Sequence, residues 1–183
     1  MLDAKTYHNP INGERTTILE SSVETNGAYT FFEVTLNAGG GNPLHYHKGF
    51  IEEFFAVKGT LGLQKGKQII YLQSGESALV PVGVYHRFFN DTDTPITFRV
   101  KLTKGQPTFE NFLRAMFGLV NDGQTMTKNQ IPKNIYHIAV MFVWGDTHLT
   151  NPFFRMFAPL VTVFYKRAVK LGIEQKLLDK YCR

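Results

Sequence analysis

The chain has little of several things, and each shortage narrows what it can be. Among its 183 residues there is a single cysteine, Cys182, so no intramolecular disulfide can form and a disulfide-stapled scaffold is excluded. No apolar run reaches the ~20 residues that a membrane-spanning helix needs. The opening stretch, MLDAKTYHNPINGERTT, has no apolar segment of the kind found in a secretory signal, so the expected compartment is the cytoplasm. Lysines and arginines are dispersed rather than gathered in a stripe interleaved with aromatics. The net charge of +5 therefore does not predict a nucleic-acid surface, and no DNA-binding module is expected on either side of the folded region. Internal repeats and low-complexity tracts are also lacking.

Aromatic residues, by contrast, are plentiful: 16 Phe, 8 Tyr and 1 Trp. With 43% apolar and 19% charged residues, the composition is that of a globular protein long enough to bury a sizeable core. The pattern changes near residue 105. Before it, short runs rich in β-branched and aromatic residues alternate with Gly, Asn, Asp and Pro, which predicts strands near 29–36, 50–57, 60–64, 68–72, 77–80, 85–89 and 95–103. PITFRVKLT alternates cleanly, with Ile96, Phe98, Val100 and Leu102 on one face and Thr97, Arg99, Lys101 and Thr103 on the other. Many short, closely spaced strands predict an all-β sandwich or barrel.

After Gly105 the period becomes helical. Phe109, Phe112, Leu113, Met116 and Phe117 recur at the spacing of one helix face. A second helix is expected within PKNIYHIAVMFVWGD, ending near Gly145. A third is expected from Asn151 as N-cap with Pro152 at its first position, kinked or broken at Pro159 and ended near Gly172. The expected organisation is a β domain over 1–105 and a helical extension over 106–183.

Two segments carry the chemistry. GGGNPLHYHKGFIEEFFAVKG places Gly39, His45, His47, Glu52 and Gly59 in register, and GESALVPVGVYHRFFN places Gly75, Pro81, Gly83, His86 and Asn90. On a strand, residues two apart share a face, so His45 and His47 point together. Pro81-Val82-Gly83 reads as a tight turn feeding His86. These ten positions reproduce Gly-x5-His-x-His-x4-Glu-x6-Gly followed by Gly-x5-Pro-x-Gly-x2-His-x3-Asn. At residue frequencies of about one in twenty, a chance match is on the order of 10⁻¹³ per placement.

In both segments the chain resembles the cupin superfamily, over about residues 10–105, somewhat over half its length. NPINGE at 9–14 also looks like the lead-in of many small cupins. The resemblance implies an antiparallel jelly-roll β-barrel holding one divalent transition metal on His45, His47, Glu52 and His86. Three imidazoles and a carboxylate suit Fe²⁺, Mn²⁺, Ni²⁺, Cu²⁺, Co²⁺ or Zn²⁺, and four protein ligands on an octahedral ion leave two positions for other groups. Glu53 alternates outward, and His8, His137 and His148 have no partner at ligand spacing. The glycines at 39–41 precede a strand rather than a helix, which argues against a nucleotide loop.

Cupins share a site and not a reaction, so the residues beside the ligands must choose the chemistry. Alternation puts Phe54 and Ala56 on the face of Glu52, and Val84 and Phe88 on the face of His86. If Phe54, Val84 and Phe88 line the cavity, the substrate is a small molecule that is partly apolar and chelates through oxygen. The expected activity is that of a dioxygenase-type oxidoreductase, with Tyr85 or Arg99 as acid or base. The alternatives are a non-catalytic cupin that binds or senses a small molecule, and a metal-dependent isomerase. The helical extension, apolar at 135–144 and 153–165 and basic at Lys166, Arg167, Lys170, Lys176 and Lys180, is expected to pack on the barrel or form a homodimer interface. Contact with a membrane surface and a lid over the cavity mouth are its less favoured readings.

Overall fold

The computed structural model describes residues 5–127, 130–150 and 152–182, the side chains of 152–157 excepted. It divides the chain into two compact units, Met1–Pro107 and Thr108–Arg183.

The first unit is built from antiparallel strands: β1 (Thr6–His8), β2 (Arg15–Glu20), β3 (Thr30–Leu36), β4 (His45–Tyr46), β5 (Ile51–Lys58), β6 (Leu61–Lys65), β7 (Gln68–Leu72), β8 (Ser77–Val80), β9 (His86–Phe89) and β10 (Ile96–Thr103). One sheet runs β1-β2-β3-β10-β5-β8, and the strands of the other run β4-β9-β6-β7. Strict alternation decides which faces are buried. Thr30, Phe32, Val34 and Leu36 of β3 and Ile96, Phe98, Val100 and Leu102 of β10 all point inward. On the outer face Arg99 lies directly opposite Glu33 and reaches it at 2.9 Å. At ~1.5–3 kcal/mol per buried large side chain, the inward row from β3, β5, β6 and β10 is the main source of this unit's stability.

Three expectations change here. β1 and β2, which the sequence reading left unassigned, form around a turn in which Gly13 N–H donates to the Asn9 carbonyl at 2.8 Å. The strands form two sheets with free edges at β1, β8 and β7, and among the described residues no ladder closes them into one barrel. With four helices added, the class is mostly β with helices rather than all-β.

The second unit holds α2 (Ile135–Trp144), α3 (Pro152–Lys170), α4 (Ile173–Tyr181) and nearly all of α1 (Pro107–Asn121). Asn134 caps α2, its Oδ1 accepting from Tyr136 N–H at 2.8 Å, and Gly145 ends it as expected. The expected cap Asn151 lies outside the described residues. α3 does not break at Pro159: the ring removes one backbone bond, and the helix continues to Lys170. Gly172 does end it, with φ +67, a left-handed conformation that side chains other than glycine's resist. Ala115, Leu119, Val140, Met141, Trp144, Ala168 and Leu177 form the unit's core. Among the described residues no helix is long and apolar enough to cross a membrane.

Candidate metal centre

His45, His47, Glu52 and His86 converge. All four are buried, and one donor atom from each falls in a cluster whose members lie within 4.8 Å of one another. The fold brings them there by different routes. His45 on β4 pairs directly across the ladder with His86 on β9. His47 follows β4 and keeps to the same side. Glu52 enters from β5, in the other sheet, in a row with Phe50, Phe54 and Ala56, while Glu53 alternates away. The Pro81–Val84 turn closes through Val84 N–H to the Pro81 carbonyl at 3.2 Å, and Gly83 N–H donates to the His47 carbonyl at 2.8 Å. Gly83, at φ +76, allows that turn, which therefore braces one ligand segment while launching another.

Backbone carbonyls set the tautomers. His45 Nδ1 lies 2.8 Å from the Pro43 carbonyl, and His86 Nδ1 lies 3.0 Å from the Val84 carbonyl. A carbonyl only accepts, so each Nδ1 carries the proton and each Nε2 is left with a lone pair facing the cluster. His45 Nε2 and His47 Nε2 stand 3.0 Å apart. Two nitrogens bound at ~2.1 Å and about a right angle to each other on one ion would be separated by roughly the same distance. Glu52 Oε2 and His86 Nε2 lie 2.6 Å apart, buried and too poorly aligned for a hydrogen bond. Glu52 Oε2 is also 3.6 Å from His47 Nε2. Lone pairs and a carboxylate directed at one another repel unless a proton or a cation lies among them. The donor set thus fits a divalent transition metal.

The electrostatics match. Burial, then the neighbouring His86 and His47, push His45 down to about 4, which keeps the ring neutral and able to donate its lone pair at neutral pH. For Glu52, burial pushes the pKa up, but contact with His86 and the charges of His47, His86 and His45 outweigh it and hold the group low, as a carboxylate. For His86, burial pulls down, while Glu52 more than compensates and raises it.

Other residues singled out in the sequence fall into place around this cluster. Phe54 is 1% exposed, with its ring 6.1 Å from the His86 ring and 6.3 Å from both Phe88 and Phe98. Phe88 is half-buried and packs on Phe98 at 5.0 Å. Val84 contributes its carbonyl to His86. Tyr85 is 41% exposed and packs on Tyr46 at 5.3 Å, and alternation turns both away from the ligand face. Arg99 is committed to Glu33 on the outer face. Neither can serve as acid or base at the cluster, which corrects that expectation. A residue the reading missed is Phe50, buried and stacked on His47 at 4.4 Å and 27°. Extending the Glu52–Phe54–Ala56 alternation back by one step would have found it.

Residues 32–102 match the family model described as the cupin domain. This segment is a cupin domain. All four candidate ligands lie within it. Among curated proteins none matches the chain in sequence. Solved structures resemble it over about half its length. A predicted oxalate decarboxylase from Thermotoga maritima aligns at 21% identity, with 50% of this chain and 80% of that one covered and a TM-score of 0.47. The polyketide cyclase RemF from Streptomyces resistomycificus aligns at 20% identity, with 49% and 64% covered and a TM-score of 0.45. A cupin-superfamily sugar phosphate isomerase from Silicibacter pomeroyi aligns at 27% identity, with 52% and 62% covered and a TM-score of 0.46.

Proposed function

We propose that the cupin domain is a metal-dependent small-molecule enzyme of dioxygenase type, its metal held by His45, His47, Glu52 and His86. The observation that carries this reading is the convergence of four buried donor atoms, with two imidazoles locked by backbone carbonyls in the ligating tautomer. A divalent transition metal bound there supplies Lewis-acid and template chemistry to an oxygen-bearing substrate. The chain's own residues do the rest. The Pro43 and Val84 carbonyls hold the His45 and His86 rings in orientation, Phe50 fixes the plane of His47, and Phe54 packs beside His86. This aromatic support excludes water from one side of the cluster and favours a substrate with an apolar part. Within a jelly roll, the two sheets contribute different ligands, so the site depends on both staying in register.

Oxygen consumption by protein loaded separately with Fe²⁺, Mn²⁺, Ni²⁺ and Zn²⁺ tests the reading, against panels of phenols and β-diketones. Uptake that requires both a metal and a panel member is the expected result. Metal bound with no uptake for any substrate would reject the dioxygenase assignment while leaving the metal centre standing.

A further inference from the structure

Lys65 ends β6 on the face that carries the metal ligands. In the β6–β9 ladder Leu63 lies opposite Phe88 and Lys65 opposite His86, and in the β4–β9 ladder His86 lies opposite His45. Residues directly opposite on antiparallel strands project to the same side, with Cβ atoms about 4.5–5.5 Å apart. His45, His86 and Lys65 therefore form one row across three adjacent strands. Two observations fix its direction. Leu63, two residues before Lys65, is fully buried in the core. On the opposite side of the same two strands Arg87 Nε donates to Gln64 Oε1 at 2.9 Å. Just beyond Lys65, Gly66 N–H donates to the Tyr85 carbonyl at 2.6 Å, which ties this end of β6 to the residue before His86.

The lysine is unlike its surroundings. The ladder partners of the four donors, outside the cluster itself, are Lys65, Val80 and Leu102, and the last two are buried and apolar. Lys65 is half-buried and takes part in no ion pair among the described residues. Glu52, the one carboxylate of the cluster, is turned to His47 and His86. On the reading proposed above, a divalent ion on three neutral imidazoles and one carboxylate keeps one positive charge, and Lys65 adds a second beside it. Like charges this close repel in a partly desolvated site, and a ligand that brings anionic groups relieves the repulsion.

We propose that Lys65 is a positioning residue for a carboxylate on the substrate, which makes the substrate class a small organic acid that also presents chelating oxygens. The row puts Lys65 beside the metal ligands rather than among them, so the carboxylate it holds is distinct from the oxygens directed at the metal. An enolisable keto acid, with one negative charge at each end, matches both positions. An uncharged ligand of the same shape leaves the ammonium without a partner. The inference rests on the metal centre, and the experiment separates the two.

Full-length protein is loaded with Zn²⁺, its metal content is measured, and it is then titrated calorimetrically with succinylacetone and with butyrylacetone. The two ligands share a chelating diketone, and the second has a methyl group where the first has a carboxylate. Wild type should bind succinylacetone about tenfold or more tightly than butyrylacetone. Lys65→Met should lose that preference while keeping its zinc and its affinity for butyrylacetone, and Lys65→Arg should restore most of the preference. Equal affinity of wild type for the two ligands would overturn the proposal, as would a preference that survives in Lys65→Met. Equal weakening of both ligands in that variant would mark a structural role and overturn it too. No binding of either ligand by zinc-loaded wild type would overturn the proposal and leave the metal centre standing. Protein that takes up no zinc would overturn both.

Discussion

Acidifying the metal-free protein should destabilise it through His45. That ring has an ordinary pKa of 6.5 and a folded value pushed down to about 4, by burial first and by His86 and His47 next. Below its ordinary value the unfolded chain takes up a proton that the folded chain refuses. Stability is therefore fully present above that value and falls with pH until the folded value is reached. Each unit inside this window costs about 1.4 kcal/mol. Going from about pH 7 to about pH 5 should cost roughly 2 kcal/mol through this one ring. Glu52, held below 4.5, contributes stability that is lost only as pH falls through its own depressed value, beneath most of that window. His86 has the opposite sign: its raised pKa stabilises below 6.5 and fades as pH rises through the folded value. Comparison with His45→Gln isolates the first of these contributions. Urea unfolding of chelator-treated protein, followed by circular dichroism because the only tryptophan, Trp144, sits in the helical unit, should show wild type losing roughly 2 kcal/mol more than the variant over that range. Equal losses in the two proteins would refute the claim that His45 is held neutral by its surroundings.

Glu174 Oε1 accepts from Trp144 Nε1 and from the Tyr165 hydroxyl, each at 2.8 Å, so Glu174→Ala should cost about 2–4 kcal/mol by orphaning both donors, as read from the thermal transition. In Glu174→Gln the Tyr165 phenol, pushed up to about 12 by burial first and then by Glu174, should titrate lower in an absorbance measurement of phenolate. Phe54→Ala should cost about 3–5 kcal/mol by emptying a fully buried site, and should weaken metal retention because His86 loses the ring beside it. Tyr85→Phe should leave metal content and any turnover unchanged, and a large loss of either would return Tyr85 to the site.

The candidate ligands were legible because their signal is positional. His-x-His on a strand shares a face, and the spacing to Glu52 and His86 matches a known pattern. The same rule placed Ile96, Phe98, Val100 and Leu102 inward. What the chain did not show in advance depends on the backbone or on distance along it. The carbonyls of Pro43 and Val84 that set the histidine tautomers belong to no side chain and leave no pattern. β1 is three residues long, too short for a period to emerge. Pro159 argued for a break, yet the surrounding helical residues carry α3 through it. Tyr85 and Arg99 have the chemistry of an acid or base, but alternation turns them outward, since Tyr85 neighbours His86 and Arg99 sits between inward residues. The geometry was the better guide.

His45, His47, Glu52 and His86 should together hold one transition metal. Elemental analysis of freshly purified wild type beside His47→Ala, with circular dichroism confirming that both are folded, tests it directly. About one equivalent of Fe, Mn, Ni, Cu, Co or Zn per wild-type chain, lost in the variant, is the predicted outcome. Wild type that holds no metal, even after reconstitution with each ion in turn, would contradict it.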